Sequence, residues 1–278
     1  MPAERIAESL AFINWTVLTA LAAGSFAAVV AGRFLTQATK GYLAFTAFSA
    51  AVFGLLAYLA DGGVPSVATA LAVHPDPTWD MPRRVALAAL PILAVVYGVA
   101  VARGRKARPV AVAGLAAAAL GLLAGALSWG GGGVPSLLLF FELATLAVAL
   151  GGVWAAMVLR HWYLVTPKLP EAPLIRFARW LLLGLLLQLG LFVVWIALGA
   201  GPGGTPAFAA LVGPWALFVW LRLLVGLVFP LIVSWAAIQT ARTRSMESAT
   251  GLLYINVGTI AAGTILAAGL YFGAGLLV

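Results

Sequence analysis

Long apolar stretches recur along the whole chain, and short polar or Gly/Pro-rich breaks separate them. A helix needs about 20 mostly apolar residues to cross the hydrocarbon core of a bilayer. Stretches of this size predict transmembrane helices over residues 10–32, 42–60, 85–102, 110–129, 137–159, 181–200, 214–239 and 252–277. The pattern therefore predicts an all-α bundle of eight transmembrane helices, forming a single integral membrane domain over residues 1–278.

The connections after the odd-numbered spans carry most of the positive charge. Twelve of the sixteen Lys and Arg residues lie there: Arg33, Lys40, Arg103, Arg105, Lys106, Arg108, Arg160, Lys168, Arg176, Arg179, Arg242 and Arg244. The other ends of the spans have fewer basic residues and several acidic ones: Arg5, Arg83, Arg84, Asp61, Asp76 and Asp80. Because loops rich in Lys and Arg stay on the cytoplasmic side of a membrane, we predict that both termini lie on the outer side.

Composition supports a membrane protein and excludes several function classes. The chain is 64% hydrophobic and 9% charged, whereas soluble domains carry roughly a quarter charged residues. The net charge of +8 comes largely from loops that set the topology, so we expect contact with the lipid bilayer and no nucleic-acid partner. Without cysteine the chain cannot hold an iron–sulfur cluster through thiolates. His74 and His161 are predicted on opposite sides of the membrane, so we expect no haem between them.

Glu142 and Arg222 are the two ionisable residues inside the predicted spans. Counting about 1.5 Å per residue from the outer ends places Glu142 about 8 Å and Arg222 about 12 Å deep. Ionisable groups in a bilayer are costly and usually pair or face a polar pathway. We therefore expect a salt bridge, which either links two helices or serves in proton transfer or in binding a polar headgroup. A neutral Glu142 that faces lipid is the third interpretation.

Uncharged polar residues form two further groups at different depths. Asn14, beside Trp15, lies about one turn below the outer surface on the first span, so it joins the charged pair in an outer set. Gln188, Asn256 and Thr259 lie nearer the inner side and predict a polar path towards the cytoplasm. Each of these residues can equally form an interhelical hydrogen bond and nothing more.

Aromatic residues follow the fifth span at its inner end. His161, Trp162 and Tyr163 stand where a membrane interface is expected, and Trp and Tyr are enriched at such interfaces. We interpret the three residues as an interface anchor. A headgroup or partner contact by His161 is the alternative.

Small and large side chains are distributed unevenly among the spans. Spans three, four and eight are rich in Ala and Gly, which permit close helix contacts, for example at Gly258 and Ala262 or at Gly269 and Gly273. Spans five to seven carry larger Leu, Phe and Trp side chains, so we expect them to face lipid or a partner. Pro230, in the middle of the seventh span, predicts a kink.

Three segments of the chain resemble one family of membrane proteins. INWTVLTALAAGSFAAVV (13–30) has a polar residue near its outer end and then a Gly-x-Phe pattern, YLADGGVP (58–65) is an acidic-glycine-proline exit from the second span, and VGLVFPL (225–231) is a Gly-then-Pro helix. These segments are similar to those of the quinone-interacting membrane subunits of the polysulfide reductase and formate-linked nitrite reductase type. At Gly63 and Val64 the chain differs, because that family has a basic residue before the proline.

The resemblance implies a subunit of a respiratory or photosynthetic electron-transfer complex in a bacterial inner (plasma) membrane. It implies a quinone, such as menaquinone or ubiquinone, near the outer face and in contact with Asn14. From the residues themselves we expect Trp15, Glu142 and Arg222 beside that quinone, with Glu142 as proton acceptor and Arg222 as the charge that tunes it. Two other functions stay open: a secondary transporter or channel lined by the same polar groups, and a purely structural anchor for partner subunits.

Overall fold

The computed structural model describes residues 1–65, 72–73, 75–165, 172–242 and 246–278, and within these ranges it contains helices and no strand. The α-helices in chain order are α1 (Pro2–Glu8), α2 (Leu10–Leu35), α3 (Lys40–Asp61), α4 (Asp80–Ala102), α5 (Arg108–Trp129), α6 (Gly133–Val165), α7 (Ala172–Leu198), α8 (Ala216–Leu223), α9 (Phe229–Arg242) and α10 (Met246–Ala274). A π-helical turn, Leu224–Val228, joins α8 to α9. Short 3₁₀ turns, Pro77–Trp79 and Ala209–Leu211, precede α4 and α8.

Eight of the described segments are long and apolar enough to cross a membrane, which confirms the predicted fold class. They are α2 to α7, the α8–α9 unit and α10. The largest difference from the predicted bounds is at the start of α7, which begins at Ala172 rather than at residue 181, and α6 is also longer than predicted, running from Gly133 to Val165. The helix can begin before Pro135 because the first N–H groups of a helix have no intrahelical partner. It can continue to Val165 because no other proline follows within it.

Successive spans alternate in direction, so the connections fall at two ends of the bundle. The connections between α2 and α3, α4 and α5, α6 and α7, and α9 and α10 carry the basic residues, and we call this end the basic end. Arg33, in the last turn of α2, donates to the Gly104 carbonyl of the α4–α5 connection (2.8 Å), which ties α2 to that connection.

α2 and α6 form the centre of the bundle. In each of them 61% of the most apolar window is buried, against 33% in α7 and in the α8–α9 unit. The two helices meet at Gly24 and Gly151, where a Cβ on either glycine would overlap the backbone of the other helix. The expectation that the fifth span faces lipid or a partner is therefore wrong for α6, whose Leu150 and Val153 are buried.

Small residues of α10 make close contacts in one half of that helix. A Cβ on Gly269 would lie 3.3 Å from Ile6 of α1, and one on Gly273 would lie 3.4 Å from the backbone of Arg5. A Cβ on Gly258 would meet nothing within 4 Å. The predicted contact surface is therefore confirmed at Gly269 and Gly273 and is wrong at Gly258.

The seventh span is interrupted where Pro230 predicts a kink. α8 gives way to the π-helical turn, and α9 begins directly after it. Proline has no N–H, so the carbonyl of Gly226, four residues earlier, loses its regular helical partner. The turn also brings Gly226 against α10, since a Cβ there would lie 2.6 Å from Cα of Gly263.

The chain turns back into the bundle after α10. Gly275 has a φ of 69°, the left-handed conformation in which glycine commonly ends a helix. The N–H of Leu277 then donates to the carbonyl of Ala200 at the end of α7 (3.2 Å). Residues 276–278 are buried. The prediction that the eighth span continues as a helix to residue 277 is therefore wrong, because the glycine reverses the chain first.

Candidate functional site

Glu142 and Arg222 both lie inside the bundle. Glu142 is on α6 and Arg222 is on α8, and each residue is 2% exposed. Counting about 1.5 Å per residue from the starts of these helices gives depths of about 14 Å for Glu142 and about 9 Å for Arg222. The segment after α10 reaches the same place, because Val278 contacts Arg222. Three separate parts of the chain therefore meet around one pair of ionisable side chains.

Backbone carbonyls hold Arg222. Its Nε donates to the carbonyl of Val278 (3.3 Å), and its Nη1 donates to the carbonyl of Gly226 (3.4 Å). The Gly226 carbonyl is the group that Pro230 leaves without a regular partner, so the guanidinium replaces the missing N–H. Among the described residues no ion pair within 4.0 Å joins Arg222 to Glu142. The expected salt bridge is therefore not formed, because the guanidinium is bound to the interrupted helix.

The carboxyl group of Glu142 makes no hydrogen bond of ordinary length and angle. Both Oε1 and Oε2 are buried, and no such bond reaches them within the described part of the chain, although the backbone of Val278 lies near enough to act on the carboxyl group. Arg222 and Tyr271 are near enough to interact with Glu142 electrostatically, while the Tyr271 hydroxyl donates to the Trp129 carbonyl (3.0 Å). A buried polar group without a partner costs about 1–3 kcal/mol, so this carboxyl favours any proton or hydrogen-bond donor that reaches it.

Asn14 and Trp15 lie in different surroundings, one at the surface and one in the interior. Asn14 is exposed on α2, whereas Glu142 is buried. Trp15 is fully buried and packs edge-on against Trp129, with ring centroids 4.6 Å apart. Asn14 therefore lies outside the buried site, and Trp15 belongs to the aromatic cluster around Trp129.

The predicted inner set is only partly brought together. Asn256 of α10 donates through Nδ2 to Oγ of Ser234 on α9 (2.8 Å), and the Thr259 hydroxyl contacts the Asn256 carbonyl (3.2 Å). Gln188 is 3% exposed, and its Nε2 has no hydrogen-bond partner in the described structure. The Asn256–Ser234 bond joins two helices, which fits the simpler interpretation of an interhelical hydrogen bond.

The predicted anchor lies at the basic end of the bundle. His161 is exposed, and its Nδ1 lies 3.4 Å from Oη of Tyr254 on α10. Trp162 packs on α3, since a Cβ on Gly41 would lie 2.6 Å from its ring. The side chain of Tyr163 lies outside the described residues. His74 lies outside them as well, so the predicted separation of the two histidines stays a prediction.

A buried ion pair that the sequence did not reveal lies at the other end of the bundle. Arg83 donates through Nε to Oδ1 of Asp61 (2.6 Å) and through Nη1 to Oγ of Ser128 (2.8 Å). Asp61 and Arg83 are each 3% exposed. The guanidinium also lies 4.7 Å from the ring centroid of Trp129, a cation–π contact. These contacts link α3, α4 and α5.

One signal for this pair is present in the sequence. Asp61 ends one apolar stretch, and Arg83 lies just before the next, so both charges belong to the same membrane surface. Opposite charges at equal depth on consecutive helices can pair. Whether such charges face water or the interior of the bundle depends on how α5 packs against α4. That packing cannot be read from the two apolar stretches alone.

Two further grooves lie on other faces of the bundle. A groove of about 540 Å³ lies between α3 and α4, and one of about 660 Å³ lies between α4 and α5. Their linings are almost entirely apolar, apart from Tyr58 and Trp79 near one end. Such grooves suit the hydrocarbon chains of lipids.

These features define a polytopic α-helical membrane protein with an unpaired buried carboxyl group in the half of the bundle away from the basic end. Comparison with protein-family models, with curated proteins and with solved structures found no match. Within the described residues no group of three or more His, Cys, Asp or Glu side chains could hold a metal ion. The site itself therefore carries the functional argument.

Proposed function

We propose that the chain is an integral subunit of a respiratory or photosynthetic electron-transfer complex in a bacterial inner membrane, and that it binds a quinone in its outer half. The observation that carries this proposal is the Glu142 carboxyl group, which is 2% exposed and accepts no hydrogen bond from the described residues. A buried carboxyl in this state suits general acid–base work on a ligand that exchanges protons. Menaquinone and ubiquinone are membrane-soluble ligands of that kind.

The residues around the carboxyl group suit a ligand of this chemistry. A quinol releases protons together with electrons when it is oxidised. In this proposal Glu142 accepts a proton, Arg222 stabilises the resulting carboxylate by its positive charge, and Tyr271 completes the polar surroundings. The exposed Asn14 is not part of this buried set. Iron–sulfur centres would belong to partner subunits, because this chain has no cysteine.

The substitution Glu142→Gln tests the role of the carboxyl group directly. It keeps the size of the side chain and removes its ability to take up a proton. General acid–base groups contribute roughly 10²–10⁴-fold to rates, so we expect quinol oxidation by the intact purified complex to fall roughly 10²-fold or more. The measurement is the rate of quinol oxidation in mild detergent.

Thr264→Val is the matched control for that experiment. Thr264 is a fully buried polar residue of α10 whose hydroxyl donates to the Ile260 carbonyl of its own helix (2.9 Å). Its loss should leave quinol oxidation close to the wild-type rate. If the Glu142→Gln complex oxidises quinol as fast as this control, the carboxyl group has no role in the reaction.

Purification of the chain from its own membranes tests membership of a complex. We expect iron–sulfur or molybdopterin subunits to co-purify, together with a quinone that organic solvent extracts. Partner subunits without any quinone would instead favour a purely structural anchor. A chain that purifies alone and without quinone would contradict both functions.

A secondary transporter or channel is the second candidate, and one observation favours it. The seventh span is broken at Leu224–Val228, directly beside the buried Arg222, and broken helices often border binding sites in transporters. The purified chain in liposomes with a trapped pH-sensitive dye separates the two functions. Proton flux after an acid pulse, lost in Glu142→Gln, would favour the transporter, whereas a complex subunit on its own should move no protons.

A further inference from the structure

A groove of about 360 Å³ opens at the basic end of the bundle between α3, α6 and α10. The aromatic rings of Phe45, Trp154 and Trp162 line it, together with the buried side chains of Met157 and Val158. Phe53 packs edge-on against Trp154 at 5.2 Å and holds that ring in place. Aromatic rings pack favourably against other flat rings, so this lining suits a planar ligand.

Three side chains give the groove a polar part. Nε1 of Trp154 is buried and has no hydrogen-bond partner in the described structure. His161 and Tyr254 also line the groove, with Nδ1 of His161 3.4 Å from Oη of Tyr254. An indole N–H can only donate, whereas imidazole and phenol groups can donate or accept. The groove therefore offers one hydrogen-bond donor without an acceptor, the Trp154 indole N–H. Beside it, His161 and Tyr254 can donate to the carbonyl oxygens of an oxidised ring or accept from the hydroxyl groups of a reduced ring.

The charge of the lining decides between classes of occupant. Among the residues that the structure describes, no Lys, Arg, Asp or Glu lines the groove. A lipid phosphate group is best bound by Arg or Lys, and an acyl chain would leave the Trp154 N–H without an acceptor. A neutral ring that carries carbonyl or hydroxyl oxygens matches both the aromatic walls and the polar groups. The geometry points to a second ligand site at the basic end, for the head of a quinone-type lipid.

This inference takes the quinone class from the proposed function and rests on a separate set of residues. Trp154 lies twelve positions after Glu142 on the same helix, which is about 18 Å along its axis. One ligand head cannot contact both side chains at that separation. The two sites therefore serve opposite ends of the bundle and can be tested independently.

Photolabelling of the purified protein in phosphatidylcholine nanodiscs tests the site. The probe is a short-chain azidoquinone, and peptide mapping records where it attaches. We expect a label within residues 154–162 that excess decylubiquinone prevents. Trp154→Phe and His161→Leu should each raise the half-saturating probe concentration for this label about tenfold, the effect of losing one hydrogen bond.

Two matched variants show whether such effects are local. Trp235→Phe alters a tryptophan of α9 that is 56% exposed and does not line the groove, so it should leave the label unchanged. Tyr254→Phe, at a half-exposed position, replaces Trp154→Phe if that variant does not fold. Glu142→Gln should change labelling near residue 142 and leave labelling at 154–162 intact.

The outcomes separate this inference from the proposed function. Labelling near residue 142 without labelling at 154–162 would overturn the second site and leave the first. A label at 154–162 that phosphatidylglycerol prevents and decylubiquinone does not would make the groove a phospholipid site and overturn the inference. Absence of specific label at both places would contradict both proposals.

Discussion

Two buried sets of charged residues differ in whether they contain a close ion pair. Arg83 has Asp61 and Ser128 as close partners, which is the arrangement that holds helices together. Glu142 has none within the described residues. A group kept buried without a partner lowers stability, so stability alone does not account for it. The first set therefore holds helices together, and the second is the set on which the proposed function rests.

The substitution Asp61→Asn should destabilise the protein strongly. Among the described residues, the buried Arg83 guanidinium would then keep only the partly exposed Asp80 carboxylate, 2.9 Å from its Nη1, as a counter-charge, and breaking a buried ion pair costs up to about 3–5 kcal/mol. Asp76→Asn is the control, because Asp76 is exposed. Hydrogen bonds from Thr78 lower the pKa of Asp76, so it is charged at neutral pH and the control also removes one charge. The measurement is the temperature at which each variant no longer elutes as a monodisperse peak in detergent. Equal temperatures for the two variants would contradict a structural role for the Asp61 pair.

The central helices depend on close approach of their backbones. α2 and α6 meet at Gly24 and Gly151 without room for a side chain, and small residues at such contacts are typical of helix packing in lipid. The interruption of the seventh span acts through the same kind of contact, between Gly226 and Gly263. It also places Arg222, because the interrupted helix supplies the carbonyl to which the guanidinium binds.

Gly151→Ala should separate α2 from α6 and destabilise the bundle. The added Cβ would overlap the backbone at Gly24, and forced overpacking costs about 1–3 kcal/mol. Gly190→Ala is the matched control, because it lies within a transmembrane helix, α7, where a Cβ would meet nothing within 4 Å. The measurement is the fraction of each variant that stays monodisperse after heating. A Gly151→Ala protein as heat-resistant as the Gly190→Ala protein would show that the helices can shift without cost.

The whole molecule has two chemically different ends. The basic end holds the Lys- and Arg-rich connections, and the other end holds the buried Asp61–Arg83 pair together with α1. By the positive-inside rule the basic end faces the cytoplasm. That orientation is a prediction, and it decides that Glu142 lies in the outer half and that the His161 groove lies in the inner half.

Single cysteines can test the orientation cleanly, because the natural chain has no cysteine. Glu8→Cys and Arg105→Cys place a thiol at exposed positions on the two ends. In intact cells a membrane-impermeant maleimide should label Glu8→Cys and spare Arg105→Cys, and permeabilised cells should show label on both. Label on Arg105→Cys alone in intact cells would mean that the orientation is reversed.

The sequence by itself determined the number of spans and most of their bounds, because the hydropathy that drives a helix into a bilayer is a local property. It also placed Glu142 and Arg222 at membrane depth, since each interrupts an apolar stretch. The sequence said much less about which face of each helix packs against other helices. In lipid both the packed face and the lipid face of a helix are apolar, so α6 could not be recognised as central, nor could Asn14 be assigned to an exposed face.

Only the tertiary structure decided the partners of the polar groups. Arg222 binds the carbonyl that Pro230 leaves free and that of Val278, which Gly275 turns back into the bundle. Both contacts depend on where helices end and cross. Hydrogen bonds act over about 3 Å, whereas hydropathy fixes a helix only to within a turn or more. Depth alone predicted a salt bridge, whereas packing binds the guanidinium to backbone oxygens and leaves Glu142 without an ion pair among the described residues.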